Sequence, residues 1–363
     1  MTKIKKSKEI MTPKQRVINT FRFEKTDRVP INYETNPGIH NKLAKTLGAS
    51  DYNGVLEALG VDFRGAGAGY NGPPLFKEVD GLRVDPVYGY YTRWIENEYG
   101  GYQDFCNFPL QNADPDFIAN YPVPNPDHFD YSGLPRHVER HKNYAIYAGG
   151  AGSGDMINLT GMLMGMEDTL VNLATEDEAT LHYIDRRINM QLGVLARTIE
   201  KSGRRIDFLW MGEDLGTQIA PMISLDMYRK VMRPRHQKFI DLAKSYNLPI
   251  MIHTCGCSSW VYEDFIEMGI NAVDTLQPEA ANMTPEYLIK NFGKRLSFHG
   301  CISTAGPLAY GTAQETEEYC RDVLSLMMKN GGYHFAPTHQ IQDNSPVENV
   351  IAMYQAAHKY GVY

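Results

Sequence analysis

From Tyr144 onward, short apolar runs alternate with amphipathic segments, and this limits what the chain can become more than any other feature. YAIYAGGAG, IDFLWMGEDLG, LPIMIHTCG, INAVDTLQP, RLSFHGCIS and GYHFAPTH each read as a strand ending in polar or glycine residues. Between them, residues 153–164, 166–175 and 177–202 carry helical spacing, as do SLDMYRKVMRPRHQKFIDLAKSY, SSWVYEDFIEMG, TPEYLIKNFG, AQETEEYCRDVLSLMMKNG and PVENVIAMYQAAHKYG. Strands separated by helices must pair in parallel, because each crossover returns the chain to the same end of the sheet. About eight such units fit, which predicts an α/β fold, a closed (β/α)8 TIM barrel. The alternative is an open doubly wound sheet, but no strand is followed by its glycine fingerprint.

The first part of the chain is less regular. TPKQRVINTFRFEK predicts a helix capped by Thr12 with Pro13 at its first position, an N-terminal helical extension to the barrel. RVPINYE (28–34) reads as the first strand, and GIHNKLAKTLG and DYNGVLEALG as short helices stopped by glycine. The glycine-rich stretch 60–74 reads as a flexible connection, and residues 76–108 as a β-meander insertion, from their aromatic–polar alternation and their Asp-Gly, Tyr-Gly and Gly-Gly breaks. No Pro/Ser linker divides residues 1–363, so a single domain is expected.

A formal net charge of −7 gives no basic face for nucleic acid. No apolar run approaches the roughly 20 residues that span a bilayer, and MTKIKKSKEI has no apolar core behind it, so a cytoplasmic protein is expected. Five cysteines in 363 residues predict free thiols rather than a disulfide framework.

The chemistry should sit where the parallel strands end. Asp62, Glu213, Asp214, His253, Cys255, Asp274, Gln277, His299, Cys301 and His339 read as the polar residues at those ends. Helix capping alone would favour Ser, Thr, Asn and Asp; His, Cys and Glu are residue types that hold metals. His253 and Cys255 lie two apart on an extended segment, hence on one side of it, and Gly256 allows a tight turn next. His339 follows a later strand, GYHFAP, and gives a third ligand across the mouth. The fourth position stays open to water, substrate or Glu213, which is how catalytic zinc sites are built. The other reading is a buried histidine on a backbone carbonyl beside an inert core thiol. Glu213 and Asp214 read as candidates for acid–base work, with a helix N-terminal pair as the alternative. Asp274 is a further catalytic candidate, or a cap; Asp62, Gln277 and His299 are placed facing substrate.

Five segments, RVINTFRFEKTDRVPI, GEDLGTQIAPMIS, IHTCG, SFHGCIS and FAPTHQIQDNSPVENV, resemble the uroporphyrinogen decarboxylase superfamily, in an order that runs across nearly the whole chain. That superfamily also includes zinc-containing, cobalamin-dependent methyltransferases. True decarboxylases carry an arginine-rich segment after the first strand. Here NYETNPGIHNKLAKTLG has no arginine, only Lys42 and Lys45, and a porphyrinogen with many carboxylates needs fixed cations. The resemblance therefore implies the branch similar to methylcobalamin:coenzyme M methyltransferases, with His253 and Cys255 as zinc ligands. His339 stands where that branch has a later cysteine. The implied function is a zinc-dependent methyltransferase moving a methyl group between an O-methyl or thiol substrate and the cobalt of a corrinoid protein, its partner. A homodimer is a further expectation. The alternative is a metal-free decarboxylase built on Asp62, Arg64 and His339, and a third reading is a non-catalytic barrel holding a corrinoid or tetrapyrrole.

Overall fold

The computed structural model describes residues 3–98 and 101–363. In chain order its strands are β1 (Phe63–Gly65), β2 (Gly69–Tyr70), β3 (Arg83–Val84), β4 (Tyr91–Ile95), β5 (Tyr102–Phe105), β6 (Phe129–Asp130), β7 (Ala145–Gly149), β8 (Phe208–Gly212), β9 (Ile250–His253), β10 (Ala272–Asp274), β11 (Ser297–Ile302) and β12 (Tyr333–Pro337). Seven of them form one parallel sheet in the order β1-β7-β8-β9-β10-β11-β12. Helices follow the strands, from the long Glu178–Lys201 to the final Val347–Tyr360.

Residues 30–32 close this sheet into a barrel. The Phe335 amide donates to the Pro30 carbonyl (2.7 Å) and the Asn32 amide to the Phe335 carbonyl (2.9 Å). On the other side, the Asp62 amide donates to the Ile31 carbonyl (2.9 Å). The segment is therefore the eighth stave, held between β12 and β1, and the sheet is left with no open edge. Aromatic contacts cross the inside. Phe63 of β1 and Trp210 of β8 both pack on His299 of β11, across strands that are not neighbours. Phe21, from the helix Pro13–Phe21, packs on Phe208 and His334.

Two expectations change. The stretch 60–74 is not a flexible connection: β1 lies inside it, with Phe63, Arg64 and Gly65 paired to Ala145, Ile146 and Tyr147. Three residues flanked by glycines are too few to show a period. Asp62 does not belong to the catalytic mouth. It precedes β1, its carbonyl accepts from the first residue of β7, and it lies at the opposite end of the barrel. The meander is present as the antiparallel sheet β3-β4-β5, although Tyr99 and Gly100 of its hairpin lie outside the described residues. No helix among the described residues is long and apolar enough to cross a membrane.

Asp62 is fully buried. Its carboxylate accepts from Arg16 Nη1 (2.5 Å), Arg28 Nη1 (2.6 Å) and the Ile31 amide (2.7 Å). Arg16 also donates through Nε to Asp27 Oδ1 (2.7 Å), and Arg28 through Nε to Glu9 Oε1 (3.0 Å). Removing one member of such a network leaves a buried charge unpaired. Asp62→Ala is therefore expected to lower stability by about 3–5 kcal/mol, read as a drop in the urea midpoint.

Candidate metal centre

The ends of β8, β9 and β10 lie side by side, with Gly212 paired to His253 and His253 to Asp274. Just past them, Asp214, His253 and Cys255 offer one ligand atom each, all within 4.8 Å of one another. His253 Nε2 is 3.5 Å from Cys255 Sγ and 3.7 Å from Asp214 Oδ1. Ligands at ordinary Zn–N, Zn–O and Zn–S lengths on a tetrahedron stand about 3.3–3.6 Å apart, so this set fits a small tetrahedral cation with one position left open. Each ligand is also held from behind. Asp214 Oδ1 accepts from the Cys255 amide (2.8 Å), and its Oδ2 accepts from Asn158 Nδ2 (2.8 Å). Gly256 turns the chain at φ 71°, where a Cβ would lie 2.1 Å from the Gly216 carbonyl oxygen. The Gly256 amide donates to Gln277 Oε1 (2.7 Å), and Gln218 Nε2 donates to the same oxygen.

Behind the ligands, Asp274 joins two histidines. His253 shares its Nδ1 proton between Asp274 Oδ2 (2.8 Å) and Thr275 Oγ1 (2.7 Å). His299 Nδ1 donates to Asp274 Oδ1 (2.6 Å), and its Nε2 accepts from Asn32 Nδ2 (3.0 Å). Nδ1 of His253 is thus fixed as the donor and Nε2 faces the ligand set, the arrangement by which a carboxylate orients a metal-binding imidazole. Burial works against the charged forms here. Even so, the hydrogen bonds that His253 makes to Asp274 and Cys255 hold it well above its usual pKa. Burial also pushes the Cys255 thiol up, opposed by His253. Asp274 is fully buried, yet His299 and His253 hold it far below the usual carboxylate range. Thr275 adopts φ 64°, an uncommon conformation for a β-branched residue, and this conformation accompanies its contact with His253.

Glu34 completes the floor. Its carboxylate lies with Asp274 and His299 in a second group that could hold a metal, and Oε1 is buried with no hydrogen-bond partner among the described residues. Burial and the charge of Asp274 raise it to about 7.

The expected residues divide accordingly. His253 and Cys255 come together. His339 is exposed on the rim and feels the charges of His253, Asp214 and Asp274, but Asp214, expected as an acid–base group, occupies the third place. Glu213 faces away from the mouth. It accepts from the Met156 and Ile157 amides and meets His236, and burial drives Glu213 up to about 8 and His236 down to about 4. His299 and Asp274 are buried with their ring nitrogens and carboxylate oxygens engaged by protein groups. Gln277 braces the Gly256 turn. Asn32, Glu34, Asn158 and Thr275 were not anticipated. Glu34 ends the first expected strand, so the strand-end rule applied there would have found it.

Residues 152–360 match the family model for uroporphyrinogen decarboxylase (URO-D), more than half of the chain. The chain belongs to the uroporphyrinogen decarboxylase family. Among solved structures, a methyltransferase from Methanosarcina mazei superposes with a TM-score of 0.64 at 15% identity, covering 96% of this chain and 99% of that one. At that identity the likeness speaks to the fold. A B12-independent methionine synthase from a Shewanella species overlaps over 91% of this chain and 93% of its own at 10% identity, with a TM-score of 0.42 that carries no argument. Comparison with curated proteins finds no match. The family match includes Asp214, His253, Cys255, Asp274 and His299, whereas Asn32 and Glu34 come from outside it.

The chain is expected to take up one divalent transition-metal ion. Asp274→Asn should weaken that affinity by about 10–100-fold while Asp214, His253 and Cys255 remain, measured by competition with a chromogenic chelator.

Proposed function

We propose that the protein is a methyltransferase that holds Zn²⁺ on Asp214, His253 and Cys255 and exchanges a methyl group with a corrinoid protein. The observation that carries this reading is the three-ligand set at the barrel mouth, with an oriented imidazole and an open fourth side. The similar structure from Methanosarcina mazei bears the name methyltransferase, which supports the same reading. Zn²⁺ supplies a Lewis acid that can polarise a substrate oxygen or lower the pKa of a thiol.

One thiolate beside an imidazole and a carboxylate makes a less electron-rich set than two thiolates, which favours an O-methyl donor. Breaking its carbon–oxygen bond leaves the pair of electrons on oxygen, the methyl group going to Co(I). That oxygen then needs a proton. Glu34 is the carboxyl group suited to give it: its Oε1 is unpaired and its pKa lies near neutrality. Asp214, His253 and Cys255 would hold the ion that draws this oxygen; Asp274, Asn158 and Gln277 keep those three in place. The metal-free decarboxylase reading has less support, because Asp62 is engaged by Arg16 and Arg28. Arg64 donates to the Val61 and Phe63 carbonyls and stacks on Tyr144, and neither meets His339.

Metal analysis of the purified chain is expected to find about one zinc per chain, lost in a His253→Ala, Cys255→Ala variant. Methyl transfer from an O-methyl donor to a Co(I) corrinoid protein, followed by visible absorbance, should require that zinc. Activity unchanged after full chelation would sink the proposal. Glu34→Gln should keep the zinc and lower kcat by about 10²–10⁴-fold.

A further inference from the structure

A cavity of about 550 Å³ lies between the meander, the helices Ile157–Met164 and Glu178–Lys201, and the ends of β1 and β7, where residues 66–68 and 149–150 line it. No residue of the metal centre lines it. Its walls are mainly apolar and aromatic, with Tyr90 and Phe105 from the meander, Met162 from the shorter helix, and Met190 and Val194 from the longer one. The volume is that of a small-molecule site.

Arg187 is the one charged residue in this lining. It is 3% exposed, and only its Nη2 donates to protein, to the Asp155 carbonyl (2.8 Å). Nε and Nη1 are buried and have no partner among the described residues. The Tyr183 ring lies 5.4 Å from the guanidinium. Two carboxyl groups, Asp155 and Glu213, feel its charge, but Asp155 caps the Asn158 and Leu159 amides and Glu213 takes those of Met156 and Ile157. A buried cation with open donors is costly unless an anion completes it.

We propose that this cavity is a second binding site, for an aromatic monocarboxylate whose ring packs on Tyr90, Phe105 and Met162 and whose carboxylate accepts from Arg187. The site does not depend on the methyltransferase reading. The two places share one element: Met162 faces the cavity, while Asn158 of the same helix holds Asp214.

The test is titration calorimetry on the full chain with 4-ethylbenzoate, which has no O-methyl group, against its neutral isostere 4-ethylbenzamide. The carboxylate should bind once per chain, about tenfold or more tighter than the amide. Arg187→Met should erase that preference. Val194→Trp, which fills the cavity and leaves Arg187 in place, should abolish binding of both. His253→Ala, Cys255→Ala should leave the affinity unchanged. No binding by the wild-type chain, or equal affinity for acid and amide, overturns the proposal. So does binding lost in the His253/Cys255 variant but kept in Val194→Trp. Circular dichroism checks each fold, and if Arg187→Met does not fold, Val194→Trp and the amide comparison decide.

Discussion

The buried carboxylate of Asp62 is the interaction on which the rest of the molecule depends. It joins Arg16 of the N-terminal helix, Arg28 at the entry to the first stave, and the amide of Ile31. These bonds hold residues 30–32 between β12 and β1, so one network seals one end of the barrel and fixes its closing seam. The same seam carries Asn32 and Glu34 to the other end, against His299 and Asp274. An ion pair far from the chemistry thereby sets the floor of the site.

Asp274 does at the mouth what Asp62 does beneath it. A single carboxylate takes the Nδ1 protons of two histidines from the neighbouring strands β9 and β11. It determines which nitrogen of His253 is free and where that nitrogen points. Two of the left-handed backbone positions lie at this place, at Thr275 and at the Gly256 turn. Strain of that kind persists only where surrounding contacts over-determine it, as the pairing of β9, β10 and β11 does here.

Buried acids away from the mouth have different work. Glu213 and Asp155 are spent on the first amides of the helix Ile157–Met164. They hold its start against the barrel, so Asn158 reaches Asp214 on one side and Met162 faces the cavity on the other. Neighbours in sequence therefore part company: Glu213 anchors a helix, and Asp214 turns to the ligand set.

The sequence by itself determined the class of fold, because alternating strands and helices leave parallel pairing as the way to satisfy the backbone. It also determined His253 and Cys255, since spacing along one extended segment is a local property. The capping box of Thr12 and Gln15 was legible in part for the same reason, through Thr12 and Pro13. Only the tertiary structure brought Asp214 rather than His339 beside His253 and Cys255, and showed that Glu213, one residue away, meets the Met156 and Ile157 amides instead. It alone showed that Asp62 belongs to the barrel's far end, that β1 is a stave, and that Glu34 and Asn32 reach the site. These are contacts between segments up to hundreds of residues apart. Their outcome depends on barrel closure, strand register and the direction each side chain leaves its strand, and no local period in the chain encodes those three together.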